Sequence, residues 1–441
     1  MTCARVSGLA AVSGLWLAVL ACPAAGRVEL AGRYIDTKNG FSLCPPMGAE
    51  QKREFSVSRL VGWQVRDART GAISWTLTVR REVGPAGADA RGFAEAIRAG
   101  MEKAGECRVE GVEPVRLLDR QAFRVGAERG DTARRWHRET WVVLDPNTSL
   151  VVALAGPAGM KDALDAASAA IVDTLRLFDV GRADAERKES LDRGRSLLAA
   201  LTPQRLAAVI PPEPQWFIYR RGGEELGYLC TTVKAARREG ASGLEVRSLA
   251  RLNVPGGQVM YVRRELFASA DRGRERWTET LSMYAKGRLV KKVSESGWQE
   301  PGAVVCKVSA EKTRTLRKPL PPAMAAVYLP RALTFLLPRL VKLDAPGAYG
   351  FATYTTAAND FDLCTFAVRG RKETTIGSRT VQAIVAADQL AADKAPATLY
   401  LDDDGALLRM ETPEGVIMEQ ASLAAVLRRW SDAGGKAAGD R

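Results

Sequence analysis

The chain has 441 residues, 46% of them hydrophobic and 26% charged, and its 64 Lys and Arg against 51 Asp and Glu leave a formal charge of +13. That length suits two or three domains, each with a core of its own. A single histidine, His137, excludes a His-pair metal site and makes any Ser-His-Asp or Cys-His device depend on that one ring.

Residues 1–26 read as an export signal. Arg5 is the only charge before Arg27, an apolar run from Leu9 to Ala21 follows it, and small residues lead out of that run. The run falls short of the about 20 residues that a spanning helix needs. Two processing routes fit. Ala24-Ala25-Gly26 suits a signal peptidase and gives a chain starting at Arg27, whereas Val19-Leu20-Ala21-Cys22 suits a lipobox with Cys22 as the lipidation candidate. The expected location is periplasmic or extracellular, free or lipid-anchored. No later segment reads as a transmembrane span: the most apolar stretch, Ala332 to Val341, is interrupted by Pro338 and set among Arg331, Arg339 and Lys342.

A basic exported chain meets anionic envelope surfaces rather than nucleic acid. Between Lys286 and Lys318 nine Lys or Arg face three Glu, and Lys286, Arg288, Lys291 and Lys292 form a candidate anionic-surface patch. The plainer reading of that patch is the solvated face of a hairpin. The cysteines beyond the signal, Cys44, Cys107, Cys230, Cys306 and Cys364, show no C-x-x-C spacing, so no zinc ribbon or thioredoxin-like pair is indicated. In an oxidising compartment Cys44 could bridge to Cys107, and two of the other three to each other. Buried free thiols are the simpler account. No cofactor and no metal is expected.

In the first globular region, 27–180, Asn39-Gly40 predicts a tight hairpin between Tyr34-Ile35 and Phe41-Ser42-Leu43. Ile73, Trp75, Leu77 and Val79 alternate with Ser74, Thr76 and Thr78, as a half-buried strand does. Phe93, Ile97, Met101 and Ala104 recur at helical spacing. Strands at 115–118 and 123–127 follow, then a hairpin of 141–144 and 150–154 around Asp145-Pro146-Asn147-Thr148, and a helix carrying Met160, Leu164, Ile171 and Leu175. The opening, Tyr34-Ile35-Asp36 with Gly40-Phe41-Ser42-Leu43 and a proline, and the closing Leu177-Phe178 resemble PsbP-like and DcrB-like domains. That resemblance implies an α/β sandwich from a mostly non-catalytic family, a fold without an active site.

Residues 181–214 read as a connector, helical from Arg182 to Ala200 and then stiffened by Pro203 and Pro211-Pro212-Glu213-Pro214. The second region, 215–430, is a series of strands and turns, with a helix expected over Ala325 to Leu343 and another over Leu423 to Trp430. Residues 431–441 read as a disordered tail. Successive hairpins around a mid-chain helix, and the run from Leu399 to Arg409 followed by Pro413-Glu414-Gly415, resemble the half-open β-barrel of LolA/LppX-like periplasmic proteins. That likeness implies binding of acyl chains or proteins on the concave face. The fold class expected is therefore α+β: a PsbP-like α/β sandwich followed by a large curved antiparallel sheet with a few helices.

His137 lies beside Arg134, Arg135 and Arg138, which lower its pKa and spoil a metal site; an exposed strand residue is the expectation. Asp402-Asp403-Asp404-Gly405 lacks the alternating oxygens of a calcium loop and reads as a hairpin turn with Asp and Gly at positive φ. Trp216, Tyr219, Tyr228, Trp277, Tyr284 and Trp298 are candidate ligand-binding residues: sheet core on the plain reading, the lining of an apolar cavity on the functional one. No catalytic residue stands out. The functional expectation is an exported, non-enzymatic binding protein for an apolar or lipid-like ligand. The alternatives are an envelope hydrolase with a carboxylate-based site and a purely structural envelope protein.

Overall fold

The computed structural model describes residues 29–52, 59–67, 70–83, 90–103, 107–130, 134–145, 147–254, 256–310, 312–356 and 359–431. The signal segment with Cys22, and all of the tail but residue 431, lie outside the described residues. The chain divides between Gly181 and Arg182 into two compact units. It is mostly β, with few helices.

The first unit opens with β1 (Tyr34–Asp36) and β2 (Phe41–Leu43), paired around the Asn39-Gly40 turn. Gly40 takes φ +72°, and a Cβ there would stand 2.7 Å from the Phe178 carbonyl oxygen, so turn and close approach both require glycine. Then come β3 (Glu50–Lys52), β4 (Arg59–Arg66), β5 (Ile73–Val83), α1 (Ala90–Lys103), β6 (Cys107–Leu117), β7 (Arg120–Arg129), β8 (Arg135–Asp145), β9 (Thr148–Pro157), α2 (Lys161–Asp173) and β10 (Arg176–Leu177). β10 returns to pair with β2, and the other strands form a seven-stranded sheet in the order β3-β4-β5-β9-β8-β7-β6.

Strand alternation sorts its two faces. Trp75, Leu77, Val79, Leu150, Val152 and Leu154 pack with Leu164 and Ile171 of α2. Phe123, Val125 and Ala127 point the other way and pack with Phe93 and Ile97 of α1, the two phenyl rings stacked at 4.7 Å. Each of the large apolar side chains among these contributes roughly 1.5–3 kcal/mol.

The second unit begins with α3 (Val180–Ala199) and α4 (Pro203–Ala208), the latter capped by Thr202, whose hydroxyl accepts from the Arg205 amide at 3.1 Å. The sequence set 181–214 apart as a connector, yet its Leu197, Leu198 and Leu206 belong to the core of this unit. The strands are β11 (Gln215–Arg221), β12 (Glu224–Arg238), β13 (Ala241–Val254), β14 (Gln258–Ser269), β15 (Glu275–Ala285), β16 (Arg288–Glu300), β17 (Ala303–Ser309) and β18 (Thr313–Pro319). After α5 (Pro322–Ala325), α6 (Arg331–Thr334) and α7 (Leu337–Leu340) come β19 (Gly347–Thr355), β20 (Asp360–Ile376), β21 (Arg379–Gln389), β22 (Ala397–Leu401), β23 (Leu407–Glu411), β24 (Val416–Ala421) and α8 (Leu423–Arg429).

The helix expected over 325–343 is instead a chain of single turns. Pro330 and Pro338 lack the amide that a continuous helix would use, and each resets the backbone. Strands β17, β18 and β24 are additions to the sequence reading. All fourteen strands form one antiparallel sheet, with β11 and β24 paired at its middle and β18 and β19 at its edges; it is not closed into a barrel. Its inner face carries one hydrophobic core drawn from both arms, among them Leu244, Val246, Leu266 and Trp277 from one and Phe351, Phe366, Leu399 and Met410 from the other.

Candidate functional site

The open seam between the arms is held by side chains. Trp277 of β15 meets Tyr354 of β19 with ring centres 6.1 Å apart, and Lys318 of β18 reaches Asp360 of β20 at 3.1 Å. Arg331, only 7% exposed, ties the seam together. Its amide donates to Glu275 Oε1 (2.6 Å), Nη1 to Glu295 Oε1 (2.8 Å) and Nη2 to Thr356 Oγ1 (2.9 Å). Tyr328 Oη donates to the other Glu275 oxygen at 2.6 Å. Burial pushes the Glu275 carboxyl above its usual range despite these donors. At Glu295 burial acts the same way, but the Arg331 charge and the hydrogen bonds outweigh it and hold the carboxyl below the usual range. Glu275 and Glu295 thus converge on one arginine, buried and spent on protein partners, and present no acid–base pair to water.

The six aromatic candidates do not line one cavity. Tyr219 and Trp277 belong to the inner core. Trp216 and Tyr228 alternate with them onto the outer face, packed under Val426 and Trp430 at the C-terminal helix α8. Tyr284 stands edge-on to Tyr261 at 5.8 Å, half-buried, at the far end of β15. Trp298 is also half-buried, its indole N–H donating to Glu300 at 3.0 Å. The inner face, where an acyl chain was expected, is occupied by the protein's own Leu329, Ala332, Leu333, Leu336, Leu337 and Leu340.

A pocket of about 400 Å³ lies instead across β14, β15 and β16, lined by Arg238, Glu265, Leu266, Phe267, Arg276, Trp277, Thr278, Ser296, Gly297 and Trp298. Leu266 and Trp277 belong to the inner core, so by strand alternation Phe267, Arg276, Thr278, Ser296 and Trp298 form its outer-face wall. Cross-strand register puts Phe267 beside Arg276, and Arg276 beside Trp298. Arg238 lies 5.9 Å from the Phe267 ring centre and pairs with Glu245, while Arg276 pairs with Glu239 at 2.5 Å. Burial raises the Glu245 pKa, but hydrogen bonds from Arg238 and Lys234 prevail and keep it below the usual range. The wall thus combines aromatic surface, two guanidinium groups, two hydroxyls and the Glu265 carboxylate, which stands opposite Thr278. Sequence reasoning found Trp277 and Trp298; Phe267 and Arg276 carry only the signal of alternation.

The basic patch falls on the β15–β16 hairpin. Lys286 (φ +48°) and Gly287 (φ +76°) form its turn, and Lys286, Arg288, Lys291 and Lys292 are exposed. His137, expected to be exposed, is half-buried on β8 with Nε2 enclosed, because its strand lies inside a seven-stranded sheet. Burial first, then Arg129, Arg135 and Arg80, lowers its pKa. In the Asp402–Gly405 turn Asp402 Oδ1 accepts from the amides of Asp404 (3.0 Å) and Ala406 (2.7 Å), and Gly405 alone takes positive φ (+74°). The five cysteines are free thiols, so the Cys44–Cys107 bridge is not formed. No helix among the described residues is long and apolar enough to cross a membrane.

No protein-family model matches the chain. No curated protein matches it either. Similar solved structures include cyanobacterial PsbP from Synechocystis sp. PCC 6803, 16% identical over 36% of this chain and 99% of that one, with a TM-score of 0.28. A β-barrel-like protein from Brucella abortus, of a domain of unknown function, is 16% identical over 47% of this chain and 96% of that one, with a TM-score of 0.32. LpqN of Mycobacterium tuberculosis, involved in cell envelope biogenesis, is 12% identical over 35% and 87%, with a TM-score of 0.25. The PsbP and barrel resemblances of the sequence thus recur among solved structures, in outline only.

Proposed function

We propose that the chain is an exported, non-enzymatic binding protein of the cell envelope, a PsbP-like sandwich joined to a half-open barrel that holds an anionic amphiphile on its outer face. The pocket of about 400 Å³ carries this reading. Its Phe267 and Trp298 rings suit an apolar chain, and Arg238, Arg276, Thr278 and Ser296 suit a carboxylate or phosphate at the end of one. The signal-like first 26 residues support export. The inner face is full of the chain's own leucines, which moves the ligand from the inside of the sheet to its outside.

The test is titration of the purified full chain with oleate, followed by tryptophan fluorescence and calorimetry, beside methyl oleate as the uncharged control. Oleate should bind and methyl oleate should bind about tenfold more weakly, the worth of one charge-assisted hydrogen bond. Arg276→Gln should erase that difference, and Trp298→Ala should weaken both. Equal binding of oleate by wild type, Arg276→Gln and Trp298→Ala, or no binding at all, would overturn the assignment.

A further inference from the structure

We infer that the tip of the β15–β16 hairpin docks the second unit on an anionic phospholipid bilayer. Leu289 and Val290 are 51% and 55% exposed, two of the five large hydrophobic side chains that stand exposed among the described residues, and they are adjacent. Lys286, Arg288, Lys291 and Lys292 surround them, and none makes an ion pair among the described residues. Elsewhere on this unit cations are commonly paired, as Arg276, Arg317 and Lys318 are.

The backbone presents these residues at a tip. A register shift between Met283 and Tyr284 pairs Met283 with Lys291 and Tyr284 with Leu289, leaving Val290 without an opposite residue. Tyr284 and Tyr261 stand at the base, amphipathic rings of the kind that settle at headgroup level. The antiparallel order points the β17–β18 turn, with exposed Lys307, Lys312 and Arg314, toward the same end of the sheet, but its register stops at Ser309 opposite Ser294, short of the tip.

The aliphatic pair selects the partner. An acidic polysaccharide would engage the cations but leave Leu289 and Val290 in water, and a second copy of the tip would bring four unpaired cations against four more. A bilayer with anionic headgroups satisfies both features: charge at the surface and apolar side chains just below it.

Cosedimentation of the full chain with vesicles decides the matter, using phosphatidylglycerol with phosphatidylcholine against phosphatidylcholine alone, at 0.15 M salt. Wild type should bind the mixed vesicles and not the neutral ones. Lys291→Gln with Lys292→Gln should weaken binding about 30-fold, at about fivefold per cation. Leu289→Ser with Val290→Ser should weaken it about tenfold or more, with an unchanged melting temperature because both side chains are exposed. Wild-type chain that ignores phosphatidylglycerol, or a Ser variant that binds as well as wild type, would overturn the inference. The inference rests on the envelope reading for location alone: oleate binding should persist in the tip variants and vesicle binding in Trp298→Ala, so the two proposals fail separately.

Discussion

Arg331 Nη1 and Glu295 Oε1 lie 2.8 Å apart across the seam of a sheet whose edge strands do not pair with each other. The same guanidinium stands 4.2 Å above the Trp277 ring, whose N–H donates to Glu295 Oε1 at 2.6 Å. Ion pair, cation–π contact and indole hydrogen bond therefore form one buried unit in place of the backbone ladder that would close a barrel.

Arg331→Leu should cost about 3–5 kcal/mol, because it leaves Glu295 without its buried cation, while Glu275 keeps the main-chain amide of residue 331. Urea denaturation read by tryptophan fluorescence would measure this. Pairing Arg331→Leu with Glu295→Leu should recover part of the loss, since a buried pair costs less to replace whole than to break.

Gly297→Ala should destabilise the second unit by about 3 kcal/mol, the upper end for overpacking. A Cβ at this position would stand 1.9 Å from Trp277 Cζ2, and the ring cannot yield while Arg331 and Glu295 hold it. A drop in melting temperature together with altered near-ultraviolet dichroism would show that the indole has moved.

Thr231→Val should leave stability unchanged or raise it by up to about 1 kcal/mol. The Thr231 hydroxyl is buried between Leu229 and Val233 on the inner face without a hydrogen-bond partner among the described residues, and valine keeps its shape without the desolvated oxygen. Calorimetric melting of both chains checks it.

Asp388 supplies a dependence on pH. Burial pushes its carboxyl up to about 6 from 3.8, so the folded chain disfavours the ionised form. Its contribution to stability is therefore best below about pH 4 and declines as pH rises through 6. Asp388→Asn should remove that decline, and the stability difference between variant and wild type, measured by urea melts from pH 4 to 7, should grow with pH.

Much of this was legible in the sequence. Glycine turns at 222–223 and 256–257, the Asn39-Gly40 hairpin and the alternation from Ile73 to Val79 placed strands that the structure contains. Alternation tells that Trp216 and Tyr219 point oppositely, but not which face receives the core, and so six aromatics could be read as one lining. The core was not legible from Arg331, a charge beside a proline, because Glu275 and Glu295 lie 56 and 36 residues away in sequence. Nor was β24, whose Val416–Ala421 run mixes Glu419 and Gln420 among apolar residues and finds its partner β11 only after the rest of the sheet is laid down.

That partnership has a kinetic side. Each arm is a meander of neighbours in sequence, β11 to β18 and β19 to β24, and can zip up hairpin by hairpin. The join of β11 to β24 is different: Arg220 meets Glu419 across 199 residues. Loop closure over that span comes late and slowly, and until then β11 and β24 are bare edges able to pair with another chain. A nascent second unit is thus most exposed to aggregation just before residue 421 is in place, and a truncation before β24 would fix it in that state.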